Sequence, residues 1–404
     1  MKTAPSRTIV DVFRNILWSR YKGAVFTQLH ALAVENGDEI RFHQIAETAS
    51  GQAAFGAVDL SYHNYPYQLL FAGGYDAVPR LVLYGKLFFK VLTSNATTIV
   101  LPGYSRPEHW LMLFATMLTG KRRAVCCDST IHDQRQTVIK GWLKRWFFAR
   151  CHGFLAYGVR SREYLVGYQA PVDRVFEPCQ AAALRHDYNP QAALLQRQQN
   201  APSPAQPVYL FVGRLAPEKS LLLLLDAFLR IHAEQPAATL NLVGAGPQRA
   251  ELEARAEALG LGTAVRFAGA MEPEQLALAY AGATCMILPS SSEPWGLVVN
   301  EALSYGCPSI VSDRCGCFPE LIAPGGTGMS FVSGDVEGLY ACMKAAPTTF
   351  VDVTATALRS IEIVGRYLPR HAAAMMLYGI ETVSRKKKRF MQVLSMSAPT
   401  TQRR

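Results

Sequence analysis

The chain has 404 residues, half of them hydrophobic and 18% charged, which excludes a disordered protein and leaves room for two domains, each with its own core. Of the formal net charge of +10, seven positive charges come from Arg385-Lys386-Lys387-Lys388-Arg389, Arg403 and Arg404, with no acid after Glu381. The excess is therefore a basic tail suited to an anionic surface, not a basic protein throughout.

From the N-terminus, Arg7, Asp11 and Arg14 interrupt the apolar pattern, so no secretion signal is read there. Arg80, Lys86 and Lys90 break the most apolar region, no run of eighteen apolar residues remains, and a cytoplasmic protein is expected. Strands are expected over 8–13, 97–101, 123–127 and 154–157 with helical patterns between them, which makes residues 1–184 one α/β domain. Within it, residues 140–150 place Trp142, Leu143, Trp146 and Phe147 on one helical arc and Lys140, Lys144 and Arg145 off it, with Arg150 inside the arc. Two readings stay open: an interfacial helix on a membrane, or a helix packing its Trp face on the sheet. Together with Lys121-Arg122-Arg123 and the 385–389 run, the first favours attachment to the anionic inner face of the cytoplasmic membrane and a lipid-linked acceptor. The loops 62–67 and 104–110 are rich in aromatics and hydrogen-bonding groups, as sugar-facing loops and ordinary surface turns both are. Residues 185–207, rich in Gln, Asn, Pro and Ala, are read as the interdomain linker.

From residue 208 onward strands and helices alternate: strands over 208–212, 239–243, 265–268, 285–289 and 309–312, helices over 221–232, 247–259, 273–281, 297–305 and 319–322. That alternation predicts a doubly wound parallel sheet in a second domain, 208–350, whose ligands bind at the carboxyl ends of the strands. Residues 351–390 are expected to be helices packing back toward the first domain, and 391–404 a disordered basic tail. Nine cysteines, including Cys126-Cys127 and Cys315-x-Cys317, fit neither a disulfide framework nor paired zinc knuckles, and reduced thiols are expected.

Three loops of the second domain carry candidate chemistry. Gly213-Arg214 with Lys219 puts two cations beside a helix start, an arrangement that would hold a diphosphate leaving group. Gly244-x-Gly246-Pro247 is a strand-to-helix turn. Glu293-Pro-Trp-Gly296-Leu297-Val298-Val-Asn-Glu301 sets one carboxylate on a loop and the other two turns into a helix whose first amides are free for an anion.

In this order and spacing the three loops, spread over 208–329, resemble the donor domain of the family-four (group 1) retaining glycosyltransferases. The resemblance implies the GT-B architecture, two doubly wound Rossmann-like domains facing a cleft. It implies that Arg214 and Lys219 bind the diphosphate, that Gly213, Gly244 and Gly246 shape the donor loops, and that Gly296, Leu297 and Val298 cap the phosphate. Glu301 would then hold the ribose hydroxyls and Glu293, as a catalytic residue, the donor sugar. No metal is expected, and no cofactor beyond a nucleotide diphosphate sugar. The implied activity is transfer of a hexose to a glycan acceptor in bacterial exopolysaccharide or lipopolysaccharide assembly.

The chain departs from the family pattern at Gly316-Cys317-Phe318-Pro319-Glu320, at Ser220 and at Cys179-Gln180. Where a donor-facing His is usual it has Asp128, a candidate catalytic residue, with His132 four residues on as the alternative. A nucleotide-sugar epimerase of the same architecture would release nucleotide without an acceptor. A nucleic-acid binder using the basic tail would leave Glu293, Glu301, Arg214 and Lys219 unexplained, so no nucleic-acid partner is expected.

Overall fold

The computed structural model describes residues 8–49, 57–133, 137–323 and 325–384. Two parallel sheets, each covered by helices on both faces, stand side by side. The first contains β1 (Ile9–Ile16), β2 (Glu39–Ala46), β3 (Tyr67–Leu69), β4 (Thr98–Leu101), β5 (Arg122–Cys127), β6 (Gly153–Ala156) and β7 (Val175–Phe176), in the order β3-β2-β1-β4-β5-β6-β7. Its helices are α1 (Arg20–Glu35), α2 (Arg80–Thr93), α3 (Pro107–Leu118), α4 (Val138–Phe148) and α5 (Val159–Gly167).

Helix α6 (Pro190–Asn200) leads into the second sheet, formed by β8 (Val208–Val212), β9 (Thr239–Val243), β10 (Val265–Gly269), β11 (Cys285–Leu288), β12 (Ser309–Ser312) and β13 (Gly328–Phe331), in the order β10-β9-β8-β11-β12-β13. Around it pack α7 (Leu221–Glu234), α8 (Arg249–Ala258), α9 (Pro273–Ala281), α10 (Leu297–Ser304), α11 (Val336–Thr349), α12 (Val353–Val364) and α13 (Pro369–Val383). This is the expected pair of Rossmann-like units. The inner strands β11 and β12 are buried on both faces, which is why β11 reads as the continuous apolar run Cys285-Met-Ile-Leu288, whereas the outer strands β10 and β13 are partly exposed.

Each sheet reverses its winding once, between β1 and β4 and between β8 and β11. Chains leaving the two strands at such a point diverge and open a crevice at their carboxyl ends. In the second domain the 213–219 loop lies on one side of that crevice and the 289–296 loop on the other.

Four expectations need correction. The stretch 185–207 is not a bare connector: α6 docks on the second domain through Arg197, 2% exposed, whose guanidinium donates to the Ala281 and Ala283 carbonyls. Its apolar period is weak because a buried Arg, bonded to two carbonyls at the end of α9, replaces a hydrophobic residue. The Lys121-Arg122-Arg123 run is no free basic patch. Arg122 donates to the Val383 carbonyl at 3.0 Å, Arg123 to the Lys121 and Arg150 carbonyls, and Lys121 is buried. In α4 the predicted arc splits, with Phe147 buried and Trp146 stacked on Trp110, while Trp142 is 63% exposed. The helix therefore packs and also presents apolar surface. Of the C-terminal helices only α13 crosses back, lying against α1 and β6; α12 stays on α10 and α6. Gly379 permits the crossing, since a Cβ there would sit 2.8 Å from Leu155 and Phe176 side-chain carbons. The 385–389 run and the rest of the tail lie outside the described residues.

Candidate functional site

The crevice between β8 and β11 brings together residues 74 positions apart. Lys219, in the short turn before α7, forms an ion pair with Glu293, both side chains about 85% buried. The two loops are also joined by backbone, because the Ser291 amide donates to the Glu218 carbonyl at 2.9 Å. Arg214 is exposed and paired with Glu218 four residues on. Both cations that the sequence assigns to a diphosphate are thus held by carboxylates. An anion arriving here would have to exchange partners with Glu218 and Glu293. The exposed Arg214–Glu218 pair holds only ~0–1 kcal/mol and yields readily, whereas the largely buried Lys219–Glu293 pair is the costlier one to open.

The glycines here have steric reasons. Gly244 adopts φ +130°, and a Cβ on it would lie 1.9 Å from the Gly213 carbonyl oxygen; on Gly246 it would lie 2.2 Å from that of Leu215. The two loops therefore touch backbone to backbone, which only glycine allows. Gly296 caps α10 in the left-handed region at φ +100°, and as the first residues of the helix Leu297 and Val298 have amides without an intrahelical partner. Beneath, Gly316 lies under Pro294, where a Cβ would meet a carbonyl oxygen at 1.8 Å.

Glu301 faces a different chamber. It lines a cavity of about 370 Å³ between the domains with Tyr280, Tyr305, Met271, Leu297 and, from the first domain, Trp18, Arg20, Tyr21 and Tyr62. Burial pushes its carboxyl up to about 7, opposed by the Tyr280 hydroxyl, which donates to it at 3.0 Å, and by the Arg20 charge. The rings of Tyr280 and Tyr305 stack at 6.0 Å and 9° on one wall. The sequence pattern did not mark Tyr280 or Arg20, because they arrive from α9 and α1; Tyr305, four residues after Glu301 at the end of α10, carried a local spacing that could have found it.

Two contacts join the domains near the site. The Glu320 carboxylate accepts the Val159 amide at the start of α5 at 2.6 Å, and burial pushes its pKa up to about 7. Gly158 makes room for it: a Cβ there would fall 2.2 Å from Glu320 Oε1 and 2.3 Å from the Trp295 ring. His132 Nδ1 is engaged by the Arg314 guanidinium of the second domain, and burial, then the Arg314 charge, lowers its pKa. Asp128, at the end of β5, is exposed and within electrostatic reach of Arg14 and Lys22. Of the aromatic loops, Tyr62 lines the cavity, whereas Tyr104 and His109 are buried in the first domain.

Residues 194–345 match the family model "Glycosyl transferases group 1". The chain is 38% identical over 137 residues to the sulfoquinovosyl transferase of Arabidopsis thaliana, a match covering 33% of this chain and 25% of that relative. The chain thus spans only a quarter of that relative's length. Among solved structures, a lipopolysaccharide outer core galactosyltransferase in its apo form superimposes with a TM-score of 0.67 at 14% identity, covering 93% of this chain and 99% of the other. An Anabaena protein, HepE, crystallised with UDP and glucose, gives 0.67 at 16% identity, covering 94% and 100%. At such identities the likeness is one of fold, and that fold is GT-B.

Proposed function

From the premise that residues 194–345 are a group 1 glycosyltransferase domain within a GT-B fold, we propose that the protein transfers a hexose from a nucleoside diphosphate sugar to a glycan acceptor. The observation that carries the reading is the linked pair of compartments at the β8/β11 crevice. On one side stands the Lys219–Glu293 pair before the α10 amides; on the other, Glu301 faces the tyrosine-walled cavity. The cavity suits a base and ribose, with Glu301 accepting ribose hydroxyls. The diphosphate then falls to Lys219, Arg214 and the Gly296, Leu297 and Val298 backbone, on the loops shaped by Gly213, Gly244 and Gly246. Glu293, released from Lys219, accepts from the sugar hydroxyls. Asp128 closes the cleft from the first domain.

In this mechanism the departing phosphate oxygen, stabilised by Lys219 and the helix start, takes the acceptor's proton as the glycosidic bond forms on the same face. The protein supplies positioning and charge stabilisation, and no metal is needed.

A lipid-linked acceptor is supported by the outer face of α2, α3 and α4, where Leu81, Phe89, Leu118, Ile139 and Trp142 are exposed among Arg80, Lys140 and Arg145. Among the described residues no helix is long and apolar enough to cross a membrane. The attachment we propose is peripheral, to the inner face of the cytoplasmic membrane. Exopolysaccharide or lipopolysaccharide assembly fits such an acceptor.

The test is a thermal-shift screen with UDP, GDP and ADP in the presence of chelator, followed by donor consumption with and without lipid-linked glycan. One nucleotide should stabilise the protein, Glu301→Ala should remove that response, and consumption should require the acceptor. Free nucleotide accumulating equally without acceptor would instead indicate an epimerase. No response to any nucleotide would overturn the reading.

A further inference from the structure

A second cluster, unused by the donor reading, lies where the winding of the first sheet reverses. Near the carboxyl end of β1 is Arg14, whose guanidinium donates to the Tyr21 hydroxyl at 3.0 Å while its buried Nε has no partner. Lys22, in the first turn of α1, is 3% exposed. Its Nζ stands 4.3 Å over the Tyr157 ring and makes one long contact, 3.4 Å, to the Cys179 carbonyl. Tyr157 is 5% exposed and its hydroxyl is also unpartnered.

A buried ammonium, Lys22, thus stands within electrostatic reach of a half-buried guanidinium, Arg14, whose Nε is buried. Burial, and then the neighbouring Arg14, pulls the Lys22 ammonium down to about 8. The carboxylate within electrostatic reach of Arg14, Lys22 and Tyr157 is Asp128, which is exposed and offsets only one of the two charges. A buried like-charge pair with unmet donors is unfavourable for folding alone and becomes favourable when an anion fills it. The cluster reaches the cleft through Tyr21, the hydrogen-bond partner of Arg14, which lines the same cavity as Glu301.

We propose that Arg14, Lys22 and the Tyr157 hydroxyl form a subsite for a phosphoryl group on the first-domain wall of the cleft. The donor set is a planar guanidinium, an ammonium and a phenol, three kinds of donor for the three oxygens of a phosphoryl group. The inference rests on the transferase reading for its place in the reaction, since the second domain already offers Lys219 and the α10 start to the donor diphosphate. The phosphoryl group has two possible sources, the acceptor and the donor.

The experiment titrates the full chain with inorganic phosphate at constant ionic strength, with and without the nucleotide that stabilises it most, and reads the melting temperature. The free wild type responds saturably, and Lys22→Met and Tyr157→Phe each weaken the phosphate response by about tenfold or more. Tyr157→Phe removes only an unpartnered oxygen, so a purely structural role for Tyr157 predicts no change in phosphate affinity. It also keeps the test open if an Arg14→Gln variant fails to fold. A response that persists in the nucleotide-saturated protein assigns the group to the acceptor. One that vanishes on saturation, with nucleotide affinity also reduced in Tyr157→Phe, assigns it to the donor. Absence of a saturable response in the free protein, or a response unchanged in both variants, overturns the proposal. Failure of every nucleotide to bind would overturn the transferase reading and leave the phosphate result independently readable.

Discussion

At the residue scale, Ser220 and Glu301 each sit where their chemistry is under tension. The φ of Ser220, +52°, lies in the left-handed region that disfavours a Cβ. As a helix-start residue Ser is ordinarily favourable, but here its side chain makes no capping hydrogen bond, so the gain does not arise. Ser220→Gly should stabilise the protein by about 0.5–1 kcal/mol in urea unfolding, the relief of strain exceeding the glycine's unfolded-state entropy. A loss of stability would show that the strain has been misjudged.

Glu301 carries a pH signature. Its folded-state pKa, about 7, lies above the ordinary 4.5 because burial disfavours the carboxylate, so the folded protein holds this proton more tightly than the unfolded chain. The stabilising contribution is complete below about pH 4.5 and is lost as the pH rises through about 7. Melting curves of the nucleotide-free protein and Glu301→Gln should therefore diverge between those values, by on the order of 3 kcal/mol. Parallel curves would place the perturbed group elsewhere, with Glu320 the next candidate.

At the scale of elements, the 213–219 and 289–296 loops act as one unit, because Lys219 and Glu293 share a pair and the Ser291 amide bonds to Glu218. Removing one partner frees the other. Glu293→Gln releases Lys219 for phosphate, so nucleoside diphosphate affinity should hold or tighten while turnover falls by about 100-fold. Lys219→Met should lower both. Calorimetry with the nucleotide beside steady-state rates separates the two, and a Glu293→Gln enzyme that binds nucleotide more weakly would contradict the exchange of partners.

The elements also show what a one-dimensional pattern carries. Strands β8, β9 and β12 and helix α9 fall on their expected bounds, since a short apolar strand and a Pro-started helix are local signals. Strands β2, β3 and β7 went unread, as did β13 and α11. In β2 the run Glu39-Ile-Arg-Phe-His-Gln-Ile-Ala46 mixes charge into an inner strand. Its Arg41 bonds Asp11 of β1 at 2.7 Å, a pairing invisible until the sheet forms.

For the whole molecule, the decisive contact is between domains. Gly158 allows Glu320 and Trp295 to close on α5, and Gly158→Ala would push a methyl group into both. The variant should lower the melting temperature and raise the radius of gyration in small-angle scattering as the cleft opens, at a cost of about 1–3 kcal/mol. Unchanged scattering and stability would mean that the interface absorbs the methyl elsewhere.

The sequence by itself determined the two α/β units, the order of the donor loops and the identities of Lys219, Glu293 and Glu301, because strand–loop–helix grammar and glycine placement are encoded within a few residues. Only the tertiary structure decided what those residues face. It closed Lys219 onto Glu293, set Tyr280 and Tyr62 beside Glu301, and brought Glu320 to Val159. The physical reason is separation along the chain. Charges 74 residues apart, or in different domains, meet because two sheets reverse their winding at facing edges, and no local periodicity records that meeting.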